Sequence, residues 1–323
     1  MSEQNSPPAR APAALCLALL LSMALTGLSH GATPESESTR TDTFASPPPN
    51  WHSLVLRDTG VIGSVTTRID LRVPTETEVR SALFAGQEVR SPRLVAPPVQ
   101  ELEVTSRVSV LLGTGIESRS RLWFNADGGL PLQLVRTSLG KNPSRKRYRF
   151  GSHQVDRLRT KPDNPTEAEQ APEHWSQSSE SRYPLPDTDG VCAKLLESSQ
   201  LLYLLSSPTH AVSVKPEVLC VFDRKRVYRV AVQMLEREAV AVDYLQVVAG
   251  REKRVTQTPE ALHVVVTSKP LEASEADKEA FSFLGLQGEI HLLLSDPERI
   301  PLRIRGQVPG YGMIELELEE LIR

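Results

Sequence analysis

The sequence predicts a mainly β protein, a large curved antiparallel sheet or open half-barrel with one central helix. Three observations carry this expectation. From Trp51 onward apolar residues recur mostly at every second position, which is the period of a strand with one buried face. Short polar or Gly/Pro links separate these runs. Only one stretch, residues 191–205, spaces its apolar residues near the helical period. About ten strands are expected, and a sheet of that size tends to curl on itself.

The elements follow in order. Residues 60–73 place Val65, Thr67, Ile69 and Leu71 on one face. The next run, 100–112, does the same with Leu102, Val104, Ser106, Val108 and Val110. "RLWFN" and "LPLQLVRTSL" read as a hairpin around the turn signal "ADGG". Residues 161–190 are acidic, proline-rich and nearly without aliphatics, so they read as a polar surface excursion with Trp175 as a packing anchor. The helix follows at 191–205, with Asp189 as N-cap and Pro208 ending it. Strands resume to the C-terminus, and the last pair is the most sharply specified. Ile300, Leu302 and Ile304 face Ile314, Leu316 and Leu318, while a turn at Gly310 sets Arg303 opposite Glu317 and Arg305 opposite Glu315. A slip of one residue would turn the charges inward, so the register is fixed.

Composition excludes several classes. The 323 residues are 39% hydrophobic and 24% charged, which fits neither a disordered polyelectrolyte nor a multi-span membrane protein. Lys and Arg number 37 against 40 Asp and Glu, a net charge of −3 that argues against nucleic-acid binding. The organisation is a signal peptide at 1–32, a Pro/Ser-rich tether at 33–50 and one β-rich domain at 51–323. Arg10 precedes an apolar run without charge through Ala32, of signal-peptide length, with small residues at Gly27, Ser29 and Gly31. An uncleaved N-terminal anchor is the alternative. Cys16 lies inside that run rather than at its end, which argues against lipoprotein processing. A periplasmic or secreted location permits a disulfide between Cys192 and Cys220; two separate buried thiols are the alternative.

Three stretches carry a family likeness: "LWFNADGGLPLQLVRTSLGKNPSRKRYRF", "DGVCAKLLESSQLLYLL" and "GEIHLLLSDPERIPLRIRGQVPGYGMIELEL". Through them the chain resembles the exported bacterial family catalogued as domain of unknown function 3108. The resemblance implies a secreted or periplasmic β-rich domain and supplies no catalytic residues.

The search for chemistry returns little. The seven histidines are all more than five positions apart, so no HxH, HxxxH or HExxH set exists and no metal site is expected. There is no GxSxG elbow, and "SLGK" at 138–141 follows a strand rather than sitting on a helix. "GTG" at 113–115 lacks the third glycine of a nucleotide loop. No catalytic constellation and no cofactor are expected. The most noticeable charge feature is the basic run at 141–149. In a strand Arg145, Arg147 and Arg149 share one face, which could meet anionic head groups or an acidic surface; a solvated face that discourages edge aggregation is the plain reading. Lys146, Tyr148 and Phe150 share the other face. "DRKR" at 223–226 and "REKR" at 251–254 are weaker cases. The expectation is a non-enzymatic envelope protein holding a lipid or other apolar ligand in the curved sheet, with a scaffold that binds another envelope protein as the alternative.

Overall fold

A computed structural model describes residues 47–60, 63–83, 95, 98–110, 115–126, 129–140, 142–186, 192, 194–272 and 280–323. The expected signal peptide and most of the tether lie outside these residues. Seventeen strands form one sheet among the described residues. They are β1 (Ser53–Gly60), β2 (Gly63–Arg72), β3 (Val99–Val110), β4 (Ile116–Asn125), β5 (Pro131–Leu139) and β6 (Ser144–Phe150). Next come β7 (Gln154–Lys161), β8 (Gln177–Pro184), β9 (Leu195–Glu197), β10 (Glu217–Asp223), β11 (Arg226–Ala239) and β12 (Val242–Val248). The remaining strands are β13 (Arg251–Gln257), β14 (Glu260–Pro270), β15 (Gln287–Ser295), β16 (Pro301–Val308) and β17 (Gly312–Ile322).

From β1 to β8 the strands form an antiparallel meander. On its other edge β1 pairs with β17, and the ladder continues through β16, β15, β14, β11 and β10 to β9. The β12–β13 hairpin branches off where β12 runs parallel to the end of β17. Among the described residues no ladder joins β8 to β9, so the sheet is open. It is also strongly curved. Phe222 on β10 meets the rings of Tyr148 at 6.1 Å, Phe150 at 5.6 Å and Tyr183 at 6.1 Å, which brings one end of the ladder against the inner face of β6–β8. The expected fold class is thus the observed one, with more and shorter strands than expected.

Alternation explains the core. Leu71, Leu102, Leu122, Leu134 and Tyr148 stand opposite one another across β2–β6 and are all buried in one continuous cluster. A second, small cluster lies on the reverse face. There helix α1 (Glu76–Ala82), capped by a Thr75–Glu78 capping box, sets Val79 against Val99, Trp123 and Leu132. The closing hairpin has the expected register, Arg303 opposite Glu317 and Arg305 opposite Glu315. Arg303 bridges Glu317 at 3.0 Å and Glu315 at 3.4 Å.

Two expectations need correction. The helix expected at 191–205 is a six-residue element, Gln200–Leu205 (α3), preceded by strand β9. Cys192 is bonded to Cys220, and beside that bond Leu195–Glu197 pair in parallel with β10, so tertiary pairing overrides helical spacing. Asp189, the expected N-cap, lies outside the described residues. Every residue of α3 is buried, so it is a core element rather than a two-faced lid. Of the excursion expected at 161–190, the described residues 161–186 are mostly exposed, and Trp175 is buried as expected. Yet it contains the short helix α2 (Pro165–Ala168) and strand β8, which pairs with β7 over eight positions. The polar sequence of β8, QSSESRYP, leaves strand formation there to edge pairing rather than to burial.

Candidate functional site

The inner face of β2–β7 is graded along the strands. Its deepest row is the leucine row described above, ending in Tyr148 and Arg157. The next row reads Ile69, Val104, Ser120, Arg136, Lys146 and Arg159 from β2 to β7. The third row is hydroxylic, with Thr67, Ser106, Ser118, Ser138 and Ser144 opposite one another across β2–β6, and beyond it Val65 faces Val108. Thr67 and Ser106 lie within hydrogen-bond distance, Oγ1 to Oγ 3.1 Å. Period-two alternation puts all these side chains on the same face.

They enclose, with residues from the opposite wall, a cavity of about 400 Å³. One half is apolar, lined by Val65, Val104, Val108, Leu286, Ile314 and Leu316. Leu286 reaches this wall because Gly306 on β16 has no side chain; a Cβ there would lie 3.0 Å from the Leu286 Cβ. The other half is polar, lined by Arg136, Lys146, Arg157, Arg224, Ser144 and Ser198.

Beneath the polar half a charge network clamps the two ends of the sheet together. Arg136 donates to Asp223 Oδ1 at 2.9 Å, to Glu197 Oε1 at 2.6 Å and to Ser198 Oγ at 3.1 Å. Both carboxylates are fully buried. Glu197 also accepts from the Ser199 N–H at 2.8 Å and from the Ser198 and Ser199 hydroxyls. Asp223 accepts from the Ser282 N–H at 3.0 Å. Burial works against the charge of Arg136, but Asp223 and Glu197 more than offset it and raise its pKa, so this guanidinium stays charged.

The cations above the network are differently placed. Lys146 has its pKa lowered, first by burial and then by Arg159, Arg136, Arg157 and Arg224. Arg157 donates to the Ser181 hydroxyl at 2.9 Å and stacks 5.3 Å over the Tyr183 ring. The buried Nε atoms of Arg157 and Arg159 make no hydrogen bond among the described residues. Arg224, at φ 60° in the β10–β11 turn, reaches Asp223 at only 3.7 Å.

The residues singled out by sequence fall elsewhere. Arg145, Arg147 and Arg149 do share a face of β6, but it is the reverse face and not an open basic strip. Arg145 pairs with Glu173 at 3.3 Å, and Arg149 is buried, donating to the Leu132 carbonyl at 3.1 Å. The segment carrying Glu173 and the β5 backbone occupy those two guanidiniums. The cavity face of the same strand is the one with Lys146. "DRKR" is a cavity-lining turn rather than a solvated run, whereas Arg254 of "REKR" pairs with Asp243 at the surface. Cys192 and Cys220 form a disulfide, with Cα atoms 5.3 Å apart. Arg136, Arg157 and Arg224 were missed as a group, because they lie on different strands and only the register unites them. His263 and His291, distant in sequence, approach to 3.0 Å on β14 and β15. Among the described residues no group of three metal-ligating side chains forms. Lys141, Gly113 and Thr114 lie outside the described residues.

No protein-family model matches the chain, and no curated protein matches it. Among solved structures it is similar to a β-barrel-like protein of domain of unknown function DUF1849 from Brucella abortus. The two share 11% identity at a TM-score of 0.45, over 85% of this chain and 96% of that one. This likeness concerns the fold alone, and no residue of the cavity is carried over from it.

Proposed function

We propose that this protein is an exported, non-enzymatic envelope protein that holds a lipid or other apolar ligand inside its curved sheet. The observation that carries the reading is the cavity itself. Its volume of about 400 Å³ falls within the ~300–1,000 Å³ of small-molecule sites, and eight aliphatic side chains line it. Among the described lining residues the titratable groups are cations and Tyr148, with neither a histidine nor a carboxylate. The Ser198 and Ser199 hydroxyls of the wall do donate to Glu197, but that carboxylate is held by Arg136, which weakens it as a base. Export is supported by the apolar N-terminal run and by the Cys192–Cys220 disulfide, which suits an oxidising compartment. Membership of the domain of unknown function 3108 family belongs to the same proposal and rests on the three quoted stretches.

The test is native mass spectrometry of protein purified from a periplasmic extract without detergent, followed by organic extraction. The expected result is a bound mass of lipid size that extraction releases. A uniformly unloaded protein would overturn the reading and favour a scaffold that binds another envelope protein.

A further inference from the structure

We propose that the cavity is a site for an amphiphilic anion. In this assignment a carboxylate or phosphate head sits between Lys146, Arg157 and Arg224, and an aliphatic chain lies along Val104, Leu286, Ile314 and Leu316. The inference rests on the binding reading above and specifies its ligand.

The argument begins with charge. The inner wall places Arg136, Lys146, Arg157, Arg159 and Arg224 near one another, against the two carboxylates Glu197 and Asp223. Both carboxylates bond to Arg136, and five cations against two anions still leave the wall positive. The surplus is therefore cationic, and it lies on the cavity side of the sheet rather than on its outer face. Half-buried like charges are costly unless something neutralises them. The lowered pKa of Lys146, caused by burial and then by four positive neighbours, records the same surplus.

Geometry supplies the rest. Arg157 holds a buried Nε–H donor that makes no hydrogen bond among the described residues, and Ser144 adds a hydroxyl at the same end. These groups converge at one end of the cavity, while strands β2, β3, β16 and β17 bring mainly aliphatic side chains to the other, with the Thr67 and Ser106 hydroxyls among them. A neutral hydrocarbon would leave the donors unsatisfied. A small free anion would leave the aliphatic half empty. A ligand with both characters satisfies each half, and a fatty acid and a lysophospholipid share that chemistry.

The experiment titrates the full protein, stripped of bound lipid, with a fluorescent long-chain fatty acid and with its methyl ester. A lysophosphatidylglycerol and inorganic phosphate serve as competitors. The acid is expected to bind roughly 10- to 100-fold more tightly than the ester, the span of one charge-assisted hydrogen bond. Lys146→Met should reduce that preference several-fold, and Lys146→Arg should retain it. Which of the fatty acid and lysophospholipid wins identifies the head group. Equal affinity for acid and ester would overturn the assignment yet leave the apolar-ligand reading standing. Binding of neither would sink both. Competition by inorganic phosphate as strong as that of the amphiphiles would show a free-anion site instead.

Discussion

Arg136 and Lys146 are cross-strand neighbours on the same inner face, and physical chemistry assigns them opposite roles. Arg136 is the counter-charge for two fully buried carboxylates, so Arg136→Met should cost about 3–5 kcal/mol by leaving them unpaired. Lys146 is disfavoured as a cation by burial and by the arginines around it, so Lys146→Met should gain about 0.5–2 kcal/mol while removing the head-group contact. The sign with pH follows from the depressed folded-state pKa of Lys146. The penalty is full while the amine is charged in both folded and unfolded chains. It is lost as pH rises through the folded value toward the unfolded one. The stability gain of Lys146→Met should therefore be largest at neutral pH and shrink under alkaline conditions. Urea unfolding of both variants at two pH values checks this. If Lys146→Met were as destabilising as Arg136→Met, the surplus-cation account would be wrong.

At the scale of elements, the short strand β9 decides how the sheet closes. It is held to β10 by three parallel pairs and by the Cys192–Cys220 bond. It presents Glu197 to Arg136 and Ser198 to the cavity. A bridge spanning 28 positions restricts the unfolded chain by roughly 3–4 kcal/mol in the loop-entropy account. The double variant Cys192→Ser, Cys220→Ser should lose stability on that order, and its β9 amides should exchange faster with deuterium. Unchanged exchange at Leu195–Glu197 would mean that the ion pairs alone hold the strand. The sequence reading missed this element for a physical reason. Leu195, Leu202 and Leu205 fall near helical spacing, and nothing local announces that 195–197 will be captured by β10. Strand β8 escaped notice likewise, because an edge strand with little burial carries little period-two signal.

At the scale of the whole molecule, the fold class and the closing hairpin were legible because burial writes a period-two pattern into each strand. Ile304 and Leu316 are buried where alternation placed them, and Arg303 and Glu317 face each other as expected. The cavity was only half legible. Alternation within β6 correctly separated Lys146, Tyr148 and Phe150 from Arg145, Arg147 and Arg149, but not which set faced inward. Nor can one strand's sequence show that Arg136, Lys146 and Arg159 share a row, since register between strands is a property of the assembled sheet. The polar character of the binding wall follows from that register. Its central claim is tested most directly by a crystal structure of the protein with an ω-brominated long-chain fatty acid. The account predicts bromine anomalous signal beside Val104 and Leu316, with the carboxylate within hydrogen-bond reach of Lys146 or Arg157. Bromine on the outer face of the sheet, or a chain lying with its carboxylate at the aliphatic end, would contradict it.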